Sequence, residues 1–431
     1  MHIAIMKISI SGIRGIVGHD FSPKDVLKFC NGFSNIIKSK KCVVACDMRP
    51  SSKIIKNFVI ASLMQNGIDT CDLGIIPTPV VFYESRIYGA GIMITASHNP
   101  ISWNGLKCNI NGKNIDEDQI IAINKYQNSY QNYIGREIKL NVKYIQGVKK
   151  IINTDIVNSK LVIDVCGGTS KKIIKCMLRE FKIKPQIIND GMDNLDHTDP
   201  VNSKLERLIS LTTNSKIGFA LDVDGDRLIV AKNGRKWNGD VSILLCIARS
   251  IKLGYKKFVI SLDTSVTVEK YILNMGCKVC YSKVGELNVV RRIEETDSDA
   301  GGEGSSGGFI LSKFNYCRDG LLACILISSM TDMQINCILK YSDTTFLVRY
   351  KININSNYHD KILSKIKYEM KQYGKIITVD GVKIIINSTN WILIRKSNTE
   401  HDVMRISIES DQLCKVKTMK KEINKIIKCF L

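Results

Sequence analysis

Four short segments hold the residues whose types and spacing suit chemistry. The first is Thr95-Ala96-Ser97-His98-Asn99-Pro100, which follows an apolar run, Gly91 to Ile94, with strand character and has Lys107 ten positions beyond the serine. A serine at a strand end, beside a histidine and within reach of a lysine, has the makings of an activated hydroxyl that can carry a phosphoryl group. Taken alone, the same residues read as a turn, because Asn-Pro favours turn initiation. The second is Asp222-Val223-Asp224-Gly225-Asp226-Arg227, between the strand-like runs Ile217 to Leu221 and Leu228 to Val230. Three carboxylates at alternate positions around a glycine can converge on one hard cation, and charges so close need a cation to be tolerated. Magnesium is the natural occupant, and since it keeps positions open for phosphate oxygens it implies a phosphorylated ligand. In isolation the pattern is also a solvated turn or a calcium loop, although the glutamate that ends an EF-hand loop is absent.

The third segment is Gly301-Gly302-Glu303-Gly304-Ser305-Ser306-Gly307-Gly308, with Arg318-Asp319-Gly320 close behind. Its glycines let backbone approach a ligand, and a carboxylate with two hydroxyls suits adjacent sugar hydroxyls. A flexible linker is the simpler reading, weakened by the charged helical stretch before the loop and the strand Phe309 to Leu311 after it. The fourth is Arg395-Lys396-Ser397-Asn398-Thr399-Glu400, after the strand-like Trp391 to Ile394 and before Arg405. Read as a strand-to-helix turn, it would cradle a phosphate, with arginine as a planar fork and the helix end adding amides. Ser397 or Asn398 could equally cap that helix with no ligand at all.

The elements that must position these loops repeat a rhythm of short β-branched strand, turn and helix-period stretch, beginning at Lys41, Lys160 and Lys257. That is the signature of β-α-β layering with mostly parallel sheets, which bind ligands at the carboxyl ends of their strands. The polar stretch from Asn111 to Gln146 reads as a helix plus linker. From about Tyr341 the pattern changes to strands such as Thr344 to Tyr350 and Met404 to Ile408 around amphipathic helices, an α+β arrangement. The expected domains are 1–136, 137–240, 241–340 and 341–431.

At 431 residues the chain is too long for one small module, and 44% hydrophobic with 24% charged residues is ordinary for a globular enzyme. Its longest apolar stretch, Leu321 to Met330, is shorter than the roughly 20 residues a spanning helix needs and suits a buried helix. Met1 to Met6 is too short for a signal core, so a cytoplasmic protein with no membrane partner is expected. The 15 cysteines lack a framework and fit a reducing compartment; Cys277 and Cys280 form the one C-x-x-C, with no second pair to complete a zinc site. The net charge of +21 raises nucleic-acid binding as a possibility, but the lysines are dispersed and read as solvated faces.

Taken together, the four segments resemble the α-D-phosphohexomutase superfamily, whose members carry in this order a phosphoserine loop T-A-S-H-N-P, a metal loop D-x-D-x-D-R, a sugar loop G-E-x-S-G and a phosphate loop R-x-S-x-T-E-P. Ser11-Gly12-Ile13-Arg14-Gly15, Asp47-Met48-Arg49-Pro50-Ser51-Ser52 and Pro77-Thr78-Pro79 extend the resemblance along the whole chain. It departs where the sugar loop reads G-E-G-S-S-G-G without a histidine, as in archaeal-type mutases, and where His401 replaces the proline of the phosphate loop. The resemblance implies three similar α/β domains with mixed, mostly parallel sheets plus a C-terminal α+β domain, around a central cleft.

It further implies a phosphoserine at Ser97 with Mg²⁺ on Asp222, Asp224, Asp226 and a phosphoserine oxygen, flanked by Arg14, Lys107 and Arg227. Glu303 and Ser305 would grip the sugar, and Arg395, Ser397, Asn398, Thr399 and Arg405 the phosphate that is not reacting. His98, Lys107 and Lys283 are the open candidates for general acid and base. Hexose 1,6-bisphosphate would be the intermediate and activator, and the substrate a small phosphosugar: glucosamine phosphate first, mannose or glucose phosphates second. The protein would be a monomer or homodimer. Two other classes compete: a D-x-D phosphatase with Asp222 as nucleophile, which wants Thr or Val where Asp226 stands, and a basic nucleic-acid-binding protein.

Overall fold

The computed structural model describes residues 7–9, 12–97, 99–125, 133–152, 160–191, 199–213 and 216–430. The chain divides into two units: Met1–Asn238 with Gly308–Thr331, and Gly239–Gly307 with Asp332–Leu431.

The first unit holds two sheets. In one, the strands run in the order Lys7–Ser9, Gly12–Ile16, Trp103–Ile110, Ala90–Ile94, Lys41–Cys46, Asp69–Ile75. The strand Lys41–Cys46 lies parallel to both Ala90–Ile94 and Asp69–Ile75, as the strand-turn-helix rhythm predicts, while Trp103–Ile110 is antiparallel to its neighbours. Val44, Ile92, Ile94 and Leu106 on one face pack with Val26, Phe29 and Phe33 of the helix Pro23–Ile36. Each such side chain contributes about 1.5–3 kcal/mol on burial. The second sheet is ordered Arg235–Lys236, Leu228–Lys232, Ile217–Leu221, Leu161–Asp164, Gln186–Ile188. Its last three strands are parallel, and Ile217–Leu221 forms an antiparallel hairpin with Leu228–Lys232. The apolar helix Gly320–Ser328, buried along its whole length, packs on that hairpin and on the helix Ser170–Glu180. No single helix among the described residues is long and apolar enough to cross a membrane.

In the second unit, Lys257–Ser261 pairs in parallel with Lys278–Ser282 and Ala300–Glu303. The C-terminal sheet is wholly antiparallel, in the order Phe346–Asn353, Val403–Ser410, Trp391–Lys396, Val382–Ile385, Lys375–Ile377. One face buries Ile384, Ile392, Ile394, Met404, Ile406 and Ile408 under the helices His359–Glu369 and Leu413–Lys428. The other face packs Trp391 and Leu393 against Leu262 and Val284.

One expectation changes. The fourth loop precedes no helix: it joins Trp391–Lys396 directly to Val403–Ser410, which contains the strand expected at Met404 to Ile408. Val-Met-Arg-Ile-Ser-Ile-Glu-Ser alternates apolar with polar, and with Met404, Ile406 and Ile408 in the core that two-residue period wins. Neither a helix dipole nor a helix cap is therefore available there. Between Asn111 and Gln146 the described residues form a helix at Glu117–Lys125 and the start of another at Tyr144–Ile151.

Candidate active site

Ser97 sits in the loop between the antiparallel strands Ala90–Ile94 and Trp103–Ile110. Its φ is 52°, a left-handed conformation that costs a residue with a Cβ on the order of 1 kcal/mol and persists only where the surroundings enforce it. The enforcement is visible. Thr95 Oγ1 accepts the Ser97 amide at 2.9 Å. Buried Arg49 donates through Nη2 to the carbonyls of Ser97 (2.6 Å) and Asn99 (2.8 Å) and through Nη1 to that of Pro100 (2.7 Å), while its Nε is fixed on Asp47 Oδ2 at 3.0 Å. Burial pushes the Asp47 carboxyl up and Arg49 draws it back.

Asp222 to Arg227 form the loop of the second sheet's hairpin. Gly225 turns it with φ 71°, and a Cβ there would lie 2.8 Å from Pro77 Cβ. Thr169 donates its amide and hydroxyl to the Val223 carbonyl at 2.9 and 3.0 Å. Thr78 donates its amide to the Asp224 carbonyl at 2.9 Å and its hydroxyl to Asp224 Oδ2 at 2.8 Å. So held, the three aspartates are fully buried and offer oxygens within 4.8 Å of one another. Ser97 Oγ donates to Asp224 Oδ1 at 3.2 Å, joining the first two loops in one site.

Cations crowd one side of the triad. Asp226 meets Arg318 Nη2 at 2.7 Å, Lys107 Nζ at 3.3 Å and Arg227 Nε at 3.8 Å. Burial works against its charge, yet Arg318, then Lys107 and Arg227, hold its carboxyl well below the usual range. Asp222 is the opposite case: burial, with Asp226 and Asp224 adding to it, pushes its carboxyl well up, and Arg227 at 3.7 Å relieves it only in part. Asp222 Oδ2 and Asp226 Oδ1 are buried and accept no hydrogen bond among the described residues. All-oxygen donors, two of them left without a hydrogen, form a set that could hold a hard divalent ion. Arg14 is half-buried near Asp224 and Asp226, with burial lowering its basicity and those carboxylates restoring part of it. Its strand runs so close to the next that a Cβ on Gly105 would stand 2.2 Å from the Ile13 carbonyl and 2.7 Å from Arg14 Cγ. Arg227 Nη1 reaches Asp199 Oδ1 at 3.3 Å.

The second unit carries the other two loops. Glu303 ends its strand, and Ser305 Oγ donates to Glu303 Oε1 at 3.3 Å. On the C-terminal sheet, Lys351, Arg405 and Arg395 stand directly opposite one another on adjacent strands. Like charges so placed repel, and Glu400 answers them, accepting Lys351 Nζ at 2.9 Å and Arg405 Nη2 at 2.7 Å. Arg405 Nε donates to Ser397 Oγ at 3.1 Å, Ser397 and Thr399 hydroxyls are 3.5 Å apart, and Asn398 Nδ2 donates to the Val284 carbonyl at 3.1 Å. Three cations and two hydroxyls, with Glu400 on Lys351 and Arg405 and Asp263 near Arg395, form a set that could hold an anion. Exposed Lys283 adjoins it through Val284.

The structure thus brings Ser97, the three aspartates, Lys107, Arg14 and Arg227 together, and gathers Arg395, Ser397, Asn398, Thr399 and Arg405 beside Lys283. His98 lies outside the described residues. The sequence reading gave no role to Arg318, Asp199, Thr78, Arg49 or Lys351. For Arg318 a signal existed: Asp319 Oδ1 caps the helix Gly320–Ser328 by accepting the Leu322 amide at 2.9 Å, so the arginine leads into a fixed helix end. Gly320 donates its amide to the Gly225 carbonyl at 3.2 Å, pressing that end against the metal loop.

Comparison with known proteins agrees with this geometry. Residues 6–133 match the family model for phosphoglucomutase/phosphomannomutase α/β/α domain I, and residues 238–341 that for domain III. The chain is 30% identical over 423 residues to a probable phosphoglucosamine mutase of Pyrococcus horikoshii, covering 93% of each. It is 31% identical over 431 residues to another of Methanosphaera stadtmanae, again covering 93% of each. Among solved structures it shares the fold of a putative phosphomannomutase from Thermus thermophilus, with a TM-score of 0.82, 20% identity and 99% of each chain covered. With a 30% relative matched over nearly its whole length, the chain belongs to the α-D-phosphohexomutase superfamily of phosphosugar mutases.

Proposed function

We propose that the chain interconverts glucosamine 1-phosphate and 6-phosphate through a phosphoserine at Ser97 and a hexose 1,6-bisphosphate, with Mg²⁺ on Asp222, Asp224 and Asp226. The observation that carries this reading is the Ser97 hydroxyl, 3.2 Å from a carboxylate of a fully buried triad. The names of the relatives and the glycine-rich sugar loop favour the amino sugar. The setting is cytoplasmic.

Bound at the triad, the ion supplies positive charge to the oxygens of the transferring group. Lys107, Arg14, Arg227 and Arg318 supply further positive charge against the negative charge of the transferring group in a site where water is scarce; removing one such group typically costs about 3–4 kcal/mol. The phosphoserine P–O bond breaks as a P–O bond to the free sugar hydroxyl forms, and the hydroxyl proton passes to a base. Lys107, with Nζ 3.3 Å from Asp226 Oδ2, is one candidate for that base beside His98 and Lys283. The bisphosphate then reorients, and its other phosphoryl group returns to the Ser97 oxygen. Arg395, Arg405, Ser397 and Lys351 hold the phosphate that is not reacting, while Glu303 and Ser305 orient the ring, so that remote binding energy is used to align the hydroxyl.

The test is a coupled assay of purified protein with glucosamine, glucose and mannose 1-phosphates, catalytic bisphosphate and Mg²⁺. The expected order places glucosamine first, and intact mass should show one phosphate located on Ser97. Preference for mannose or glucose phosphate would replace the substrate; phosphate on an aspartate, or none on Ser97→Ala and wild type alike, would refute the mechanism.

A further inference from the structure

The phosphate row and the sugar loop belong to different sheets of the second unit, yet a continuous set of short contacts ties one to the other. At its centre is Arg349 on the strand Phe346–Asn353. Its Nη1 donates to Asp240 Oδ2 at 2.7 Å and its Nη2 to Asp240 Oδ1 at 3.0 Å, the two-pronged geometry available to a guanidinium and not to an ammonium. Nη2 also donates to the Asp263 carbonyl at 2.5 Å. Burial works against the charge on Arg349, and Asp240 more than restores it.

Asp240 is in turn the seat of the sugar loop. Its Oδ1 accepts the Ser265 amide at 2.8 Å. A Cβ on Gly304 would lie 2.0 Å from that same oxygen, and one on Gly239 would lie 2.4 Å from the Gly304 carbonyl, so the loop rests directly on the start of the helix Gly239–Lys252 that holds Asp240. The Gly304 amide donates to Thr264 Oγ1 at 3.2 Å, and Ser261 Oγ joins Thr264 Oγ1 (3.0 Å) to Asp263 Oδ1 (2.6 Å). On the sheet side, Arg349 pairs with Ser407, and Lys351, two residues along the same strand, pairs with Arg405 and through it with Arg395. One pleat repeat, about 7 Å, therefore separates the bolt from the phosphate row on a rigid strand.

We propose that Arg349 is a positioning residue: by bolting the C-terminal sheet to Asp240 beneath Gly304, it sets the spacing at which one hexose phosphate is gripped by the phosphate row and the sugar loop at once. This rests on the mutase reading above. A ligand that spans both grips gains affinity from the fixed spacing, because the second contact forms at high effective concentration; a ligand that fills the phosphate row alone gains nothing from it.

The experiment measures dissociation constants of glucosamine 6-phosphate and of inorganic phosphate for wild type, Arg349→Met and Arg349→Lys, with Arg395→Ala marking how far phosphate binding can fall. Arg349→Met should weaken the sugar phosphate by roughly tenfold or more and leave inorganic phosphate within twofold of wild type; Arg349→Lys, which loses the fork but keeps the charge, should fall between. Should Arg349→Met fold poorly, Asp240→Asn breaks the same bolt and should show the same ligand-selective loss. Equal weakening of both ligands, or of neither, overturns the inference. A wild type that binds inorganic phosphate but no hexose phosphate would instead sink the functional reading itself, and that arm is read before any variant is made.

Discussion

Arg318→Met is the sharpest perturbation of the proposed transfer site, because it should move catalysis and metal affinity in opposite directions. The pair it breaks is 2.7 Å long, with Asp226 fully buried and the arginine side chain 11% exposed. Breaking such a pair from one side costs about 3–5 kcal/mol. Lys107 and Arg227 remain at 3.3 and 3.8 Å from the same carboxylate, which argues for the low end of that range. About 3 kcal/mol lost from a transition state that gathers negative charge corresponds to roughly 100-fold in kcat/KM. The metal responds with the other sign. A guanidinium beside the triad repels a divalent ion and competes for Asp226, so its removal should lower the Mg²⁺ concentration giving half-maximal rate. Steady-state kinetics across a magnesium series, on protein whose thermal midpoint has been measured, reads both. A rate within threefold of wild type would refute the electrostatic argument. So would a rise in the magnesium requirement, since that is what a merely distorted loop produces.

Two further outcomes follow from buried groups near the same loop. Thr78→Val keeps the shape but removes the 2.8 Å bond to Asp224 Oδ2; loss of such a supporting partner should raise the magnesium requirement about tenfold, and an unchanged requirement would deny the threonine its orienting role. Burial pushes the Asp319 carboxyl up from 3.8 to about 6, against hydrogen bonds from Tyr144, Leu322 and Asn315. A raised folded-state value means stability that is full below pH 4 and lost as pH climbs through 6, roughly 3 kcal/mol for this fully buried group. Relative to Asp319→Asn, wild type should therefore lose thermal midpoint between pH 4 and 7, and parallel curves would contradict the assignment.

What the sequence disclosed, and what it withheld, divide along chain distance. The residues proposed to meet substrate or metal lie in contiguous runs at strand ends, so Ser97, the aspartates 222 to 226 and Glu303 could be picked out by residue type and spacing, and the alternating or apolar runs beside them gave the strands. The supports are non-local. Arg49 reaches the Ser97 carbonyl across 48 positions, Arg318 reaches Asp226 across 92, and Thr78 reaches Asp224 across 146. No periodicity or local spacing can announce such a contact, since it exists only once distant strands have paired or separate sheets have folded and their loops have met. The misjudged fourth loop has a different cause: Ser397 and Asn398 carry genuine capping chemistry, but capping requires a helix to follow, and the two-residue period of Val403–Ser410 overrides it because its apolar half completes a core.

That same period explains how the phosphate row arises at all. With Met404 and Ile406 committed to the core under the helices, Arg405 between them must face the other way, and the register of the sheet then places Arg395 and Lys351 beside it. Three cations are forced into one line by the packing of their neighbours, at an electrostatic cost that Glu400 on Lys351 and Arg405, and Asp263 near Arg395, offset in part. A dianionic ligand, as proposed above, would complete the compensation. If this is right, Glu400→Gln should strengthen inorganic phosphate binding, as the phosphate no longer competes with a carboxylate for Lys351 and Arg405. It should also lower the thermal midpoint of the ligand-free protein, as Lys351 and Arg405 lose the carboxylate that pairs with both. Phosphate should restore more of that midpoint in the variant than it adds to wild type. Equal or weaker phosphate affinity in the variant would show that Glu400 helps build the anion site rather than standing in for its ligand.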